Sequence, residues 1–280
     1  MTGTIYLVPT PIGNLGDITL RALETLKKVD LIAAEDTRQS LKLLNHFEIK
    51  KPLISYHMHN EQGKSDHLIE KARNGESIAV VSDAGTPGIS DPGAVIAKKC
   101  IEQGIEFVVL PGATAFTTAL VYSGLDTTKF MFKGFFPREN KERKAFLADI
   151  EQRTETIMVY ESPYRVIDAL GSMLEGLGDR NVAVCRELTK MHESIYRGTF
   201  SEAINFFAEK APRGEFVIVI EGKSKEALEL EEKSKWEHMT IEEHIISFID
   251  AGEKKKDAIK LVAKERNIPK TDIYKHSLNL

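Results

Sequence analysis

Ile78-Ala79-Val80-Val81-Ser82-Asp83-Ala84-Gly85-Thr86-Pro87-Gly88-Ile89-Ser90-Asp91-Pro92-Gly93 is the stretch from which the architecture follows. Its first four residues form a short, continuous apolar run, as expected of a strand buried on both faces. Three glycines and two prolines follow, fixing a tight backbone that can approach a ligand closely. A helical period then begins at Ala94 and runs to Gln103. Gly85, Gly88 and Gly93 do not have the spacing of a dinucleotide-binding loop, and no Gly-Lys-Ser/Thr follows as in a phosphate-binding P-loop. A purely structural turn is the alternative reading, and spacing alone names no ligand.

The same alternation extends in both directions. Strands are predicted at Ile5–Val8, Leu31–Ala34, Leu53–Tyr56 and Phe107–Leu110, with helices near Leu20–Lys28, near Lys64–Arg73 and from Ala113. Apolar strands separated by helices imply a parallel sheet covered on both faces, with ligands bound outside the carboxyl ends of its strands. From about Thr127 to Gly222 a second set of strands is predicted: Phe130–Phe135, Thr156–Tyr160, Val182–Arg186, Glu193–Gly198 and Phe216–Glu221. Helices are expected near Lys141–Glu151, Tyr164–Leu174 and Phe200–Glu209. Two strands in direct succession, around Val184 and Ile195, require a mixed sheet. The expected organisation is an α/β domain over 1–122, a second over 123–222, a Lys/Glu/Ser-rich linker over 223–237, and a helical module over 238–280. In that module Pro269 breaks the helical period, as in a helix-turn-helix.

With 42% hydrophobic and 29% charged residues, the chain is globular and not disordered or fibrous. No apolar run reaches the roughly 20 residues that span a bilayer, and the start of the chain lacks the basic segment of a signal peptide. Cys100 and Cys185 each stand alone in an apolar segment, which fits a reducing cytoplasm. A net charge of -4 excludes coating nucleic acid by bulk electrostatics. The tail differs: between Lys254 and Leu280 eight Lys or Arg face three Asp or Glu.

Several stretches together carry a resemblance. They are Leu7-Val8-Pro9-Thr10-Pro11-Ile12-Gly13-Asn14-Leu15-Gly16-Asp17-Ile18-Thr19, Ala34-Glu35-Asp36-Thr37-Arg38, the Ser82–Gly93 loop and Leu110-Pro111-Gly112-Ala113-Thr114-Ala115. Further on come Tyr160-Glu161-Ser162-Pro163-Tyr164-Arg165, Cys185-Arg186-Glu187-Leu188-Thr189-Lys190 and Pro212-Arg213-Gly214-Glu215. On these the chain resembles the tetrapyrrole-methylase superfamily, and specifically its branch that methylates 16S ribosomal RNA. Porphyrin-precursor enzymes carry Gly-x-Gly-Pro-Gly-Asp after the first strand. This chain has Pro-Thr-Pro-Ile-Gly-Asn, which speaks against a tetrapyrrole substrate.

The resemblance implies S-adenosylmethionine folded into a cleft between two α/β domains and held by Pro9, Asp83, Ala84, Gly85, Thr86, Pro87, Thr114, Ala115, Glu161, Leu188, Pro212 and Gly214. It implies a cytoplasmic homodimer acting on 16S rRNA or the 30S subunit, at the ribose 2'-hydroxyl of the cytidine at position 1402. The competing classes are a small-molecule (tetrapyrrole) methyltransferase and a non-catalytic RNA-binding module. An Asp83 carboxylate at a strand end suits a sulfonium or ammonium ligand, or alternatively caps a helix.

Methyl transfer to a ribose hydroxyl gains from orientation and from a base near the reacting oxygen. Glu35, Asp36 and Arg38 follow one strand, His57 and His59 follow another, and Glu187 belongs to the second domain. Asp36 is the favoured base, although Glu35 or Asp36 paired with Arg38 would serve as an ordinary surface ion pair. No metal is expected, because the two histidines lack further ligands at suitable spacing. Lys254, Lys255, Lys256, Lys260 and Lys270 are the expected RNA contacts, the alternative being an ordinary solvated helical tail.

Overall fold

The computed structural model describes residues 2–58, 61–209, 212–278 and 280. Strands β1 (Ile5–Leu7), β2 (Leu31–Ala34), β3 (Leu53–Ser55), β4 (Ile78–Val81) and β5 (Phe107–Val109) form a five-stranded sheet of order β3-β2-β4-β1-β5. Every pairing in it is parallel. Side chains of a strand alternate between faces. Ile78 and Val80 therefore pack with Leu68, Ile69 and Ile96 from α3 (Glu61–Arg73) and α4 (Gly93–Gln103). Ala79 and Val81 pack on the other face with Leu26 of α1 (Leu20–Lys28) and Leu44 of α2 (Thr37–His46). Helix α2 is absent from the sequence reading, which took Glu35 to Arg38 only as a charged cluster. The cluster contains the helix start: Asp36 is the N-cap and accepts the Arg38 N–H at 2.8 Å.

The second sheet comprises β6 (Phe130–Phe135), β7 (Thr156–Glu161), β8 (Asn181–Arg186), β9 (Ser194–Thr199) and β10 (Phe216–Ile220), in the order β6-β7-β10-β8-β9. It is mixed, as the adjacency of β8 and β9 in sequence requires: β6 and β7 are parallel, the other pairs antiparallel. Helices α6 (Asn140–Ile150), α7 (Val166–Leu177) and α8 (Phe200–Ala208) cover the face that carries Ile157, Val184 and Ile218. The opposite face, with Met158, Ala183 and Val219, is covered by Ala119 and Leu120 of α5 (Ala115–Ser123). The sequence reading assigned this helix to the first domain. Its apolar residues surround the axis too evenly to say which sheet they cover.

Residues 223–280 form a separate compact unit of four helices. The expected linker is instead α9 (Lys225–Trp236), capped by the Ser224 side chain. Lys and Glu are good helix formers, so the composition that suggested a linker equally supports a helix. Helices α10 (Ile241–Asp250), α11 (Lys255–Glu265) and α12 (Lys270–His276) share a small core of Ile245, Ala258, Ile259, Val262 and Ile273. Arg266 is internal to this unit, donating to the carbonyls of Trp236, Met239 and Thr240 and to His244 Nδ1.

One buried hydroxyl ties the segment after β3 to the end of the diagnostic loop. Tyr56, 1% exposed, lies 2.9 Å from Ser65 Oγ and donates to the Pro92 carbonyl at 3.0 Å. Burial pushes its phenol up to about 12, so it remains a donor. Tyr56→Phe is expected to lower unfolding free energy by about 1–2 kcal/mol in urea titration, the range for losing a buried hydrogen bond. An unchanged midpoint would show that the bond does not secure the loop.

Candidate functional site

Within residues 1–222 the carboxyl ends of the parallel strands open into a cavity of about 430 Å³, whose far wall is formed by the second sheet. That volume falls in the range of small-molecule sites. Ile12 enters from the loop after β1, Glu35 from the loop after β2, residues 83–86 from the loop after β4, and Thr114 and Ala115 from the turn after β5. Phe135, Tyr160, Leu188 and Val217 supply an apolar wall. This is the place at which a parallel α/β sheet collects its ligands.

The floor depends on close backbone approach. Gly85 has φ +81° and bridges to Thr10 through reciprocal bonds of 2.9 and 3.0 Å. A Cβ on Gly85 would lie 3.2 Å from the Ala113 carbonyl oxygen and 3.3 Å from Ile12 Cγ2. The Thr86 hydroxyl donates to the same Ala113 oxygen at 3.1 Å. Asp91 holds the rest of the loop, accepting the Gly88 and Gly93 N–H groups at 2.7 Å each.

Glu35, Asp83, Glu161 and Glu215 all line the cavity, and of these Glu161 is paired with Arg165 and Glu215 with Lys190. Burial, then the charge of Asp83, holds Glu35 above the ordinary glutamate range. Asp83 accepts the Asp36 N–H at 2.9 Å, joining the loops after β2 and β4 and capping no helix. Asp36 itself does not line the cavity. It binds the Arg38 guanidinium at 2.8 and 3.1 Å, and these bonds lower its carboxyl to about 2. The expectation that Asp36 is the base therefore meets an obstacle: a carboxylate so stabilised in its charged form accepts a proton poorly. Arg38 projects outward, 86% exposed.

Sequence reasoning also named Pro9, Pro87, Pro212 and Gly214, and these lie behind the lining. The Pro9 ring packs on Gly112, where a Cβ would come within 2.2 Å of it. Pro87 is buried against Gly93. Gly214, at φ +90° and just beyond Pro212, leaves room for the Glu187 side chain. Glu187 supports the wall: burial raises its carboxyl, but Lys190 Nζ and the Glu215 N–H, both at 2.9 Å, outweigh burial and hold it low. Glu187 and Thr189 have φ of 51° and 65°, a conformation uncommon outside glycine, and Leu188 between them reaches the cavity. Thr189 Oγ1 accepts the Asn14 N–H at 3.1 Å, fastening this loop to the one after β1. His57 follows β3 and is not among the residues lining the cavity, and His59 lies outside the described residues.

The aromatic wall was missed. Phe135 and Tyr160 occupy strand ends, where the sequence pattern distinguishes a lining aromatic from a core aromatic by no signal. In the second unit Lys254, Lys255, Lys256, Lys260 and Lys270 are all exposed. Lys255 donates to the Leu280 carbonyl oxygen and Lys260 pairs with Asp257 at 2.7 Å.

The sequence profile of the tetrapyrrole (corrin/porphyrin) methylases matches residues 4–204. Ribosomal RNA small subunit methyltransferase I of Bacillus subtilis (strain 168) is 50% identical over 272 residues, 97% of this chain and 93% of that protein. The protein of the same name from Synechocystis sp. is 45% identical over 279 residues, 99% of this chain and 98% of its own. Among solved structures, a diphthine synthase superposes with TM-score 0.62 at 13% identity, covering 79% of this chain and 91% of its own. Uroporphyrin-III-C-methyltransferase from Thermus thermophilus gives 0.57 at 22%, covering 78% and 94%. At those identities the two structures show a common fold. The profile match and the close relatives over nearly the whole length establish that the chain belongs to the tetrapyrrole methylase family and, within it, to the ribosomal RNA small subunit methyltransferase I group.

Proposed function

We propose that this chain transfers a methyl group from S-adenosylmethionine to the ribose 2'-hydroxyl of a cytidine in the 16S RNA of the small ribosomal subunit. One observation carries the reading: a cavity with a tight backbone floor, an apolar wall and the carboxylates of Glu35 and Asp83, in a chain whose relatives at 45–50% identity are named for small-subunit RNA methylation. The residues fit the cofactor. Glu35 and Asp83 bring negative potential toward a cationic ligand, Tyr160, Leu188 and Val217 suit an apolar ring, and the Gly85 backbone leaves room for close contact.

S-adenosylmethionine supplies a methyl group already activated by its positive sulfur. The chain's own residues exclude water, orient the ribose and remove a proton. Glu35 is the better base, because burial and the neighbouring Asp83 raise its affinity for a proton. It accepts the proton of the 2'-hydroxyl as that oxygen attacks. Arg38, exposed beside the cavity mouth, is placed to hold a phosphate of the RNA. The exposed lysines of the second unit add a sequence-independent attraction to the same polyanion.

Three outcomes are expected. Gly85→Val forces a branched side chain into a left-handed conformation that costs about 1–2 kcal/mol, and it crowds the floor. Calorimetry should show strongly weakened S-adenosylmethionine binding, and an unchanged affinity would misplace the cofactor. Glu35→Gln should lower single-turnover methylation of 30S subunits by roughly 10²–10⁴-fold with cofactor affinity retained. In the wild type the active form of Glu35 is ionised, so the rate should fall as pH drops through a carboxyl pKa above the ordinary 4.5, and the Gln variant should lose that limb. An identical pH profile in the variant would remove Glu35 from the reaction. Finally, replacing Lys254, Lys256 and Lys270 together by Gln should weaken rRNA binding and flatten its salt dependence, by about 0.7 log units per lost phosphate contact for single strands. S-adenosylmethionine affinity should not change, and an unaltered salt slope would make the tail an ordinary solvated surface.

A further inference from the structure

Beside the main cavity lies a second of about 280 Å³, bounded by residues 135–138 on one side and by Glu161, Ser162 and Arg165 on the other. The two cavities share Phe135, Glu161 and Ser162. Arg165 occupies the N-cap position of α7 and is held in one orientation. Its Nε and Nη2 bind the two oxygens of Glu161 at 2.9 and 2.5 Å, and Nη2 also donates to the Phe136 carbonyl at 2.6 Å. Glu161, with its side chain 1% exposed, is thus committed to Arg165. What remains of the guanidinium is Nη1, which is buried and has no hydrogen-bond partner among the described residues. Buried N–H groups in folded proteins nearly always have an acceptor, so this one invites an oxygen from outside the chain.

The surroundings favour an anionic oxygen. Arg138, exposed, borders the same cavity, giving two guanidinium groups against one carboxylate. The other nearby cations are engaged: Arg143 binds Asp168 at 2.6 Å and the Pro137 carbonyl at 3.1 Å, and Lys133 binds Asp149 at 2.8 Å. Between the cavities stands Phe135, 61% exposed, its ring backed edge-on by Tyr160 with centroids 5.5 Å apart. Exposed aromatic faces beside guanidinium groups are how proteins hold unstacked nucleotides, the ring taking the base and the cations the phosphate.

We propose that this second cavity holds a phosphate flanking the reactive ribose of the target nucleotide, on Arg138 and Arg165 Nη1, with the base stacked on Phe135 where the two cavities meet. The inference rests on the RNA reading above and adds the residues that position the substrate. Arg165 is locked by Glu161 and offers the phosphate Nη1 alone, and Arg138 and Phe135 complete the contacts with the nucleotide.

The test titrates the full chain with cytidine 3',5'-bisphosphate by calorimetry, comparing wild type with Arg138→Gln and Phe135→Leu. In parallel, S-adenosylmethionine affinity is measured for wild type and Arg138→Gln, and steady-state methylation of 30S subunits for all three. Bisphosphate affinity should fall at least tenfold in both variants, and KM for the subunit should rise more than kcat falls. S-adenosylmethionine affinity should be unchanged in Arg138→Gln. Failure of the wild type to bind the bisphosphate, or unchanged bisphosphate affinity and KM in both variants of an active enzyme, overturns the site and leaves the proposed function standing. Weakened S-adenosylmethionine binding in Arg138→Gln also overturns it, by giving the cavity to the cofactor. If the variants lose the bisphosphate but the wild type does not methylate 30S subunits, the nucleotide site stands and the RNA reading falls.

Discussion

The reciprocal backbone bridge between Thr10 and Gly85 is the constraint on which the rest of the site depends. It draws the loop after β1 against the loop after β4, although the two are separated by more than one crossover. The bridge requires a residue that tolerates φ +81°, and the Pro9 ring lying on Gly112 brings in the turn after β5 by the same kind of close approach. Three strand ends thereby share one floor in which backbone is exposed to a ligand and side chains are kept out. At the edge of that floor stand Glu35 and Asp83 on one side and the aromatic wall of the second sheet on the other, the residues to which the proposed function assigns selectivity.

Charge is distributed around the cavity by commitment as much as by position. Asp36, Glu187 and Glu161 are all acidic and all close by, yet each is engaged by a cation of its own chain: Arg38, Lys190 and Arg165. Glu35 has no such cation to hold it low and is instead raised by burial and by the neighbouring Asp83. Perturbation of this kind, in a cavity, is the usual mark of a group prepared for proton transfer.

Much of the fold was legible because its signals are local. The runs at Ile5, Leu31, Ile78 and Phe216 are short, apolar and bounded by turn residues, and each became a strand. The direct succession of β8 and β9 by itself requires the mixed sheet. What was not legible depends on partners distant in sequence. Helix α2 was hidden inside a charged motif whose Asp36 is its cap, α9 had the composition of a solvated linker, and nothing in α5 announces which sheet it covers. For the site, the loop residues 83–86 were readable from their glycine and proline content. Whether Glu35 or Asp36 faces the cavity was not, because adjacent residues at a strand end differ only in direction.

The position of α5 bears on how the molecule comes into being. The chain reaches this helix immediately after completing the first sheet, but the strand residues that cluster with Ala119 and Leu120 are Met158, Ala183, Val217 and Val219, the last of which lies a hundred residues further on. A nascent chain leaving the ribosome therefore carries an uncovered apolar helix until β10 has been synthesised. The first sheet has its own helices on both faces, whereas the second lacks a cover on one face without α5, so a chain interrupted before β10 would present sticky surface. The helix that closes the first α/β segment in sequence is thus, for assembly, part of the second.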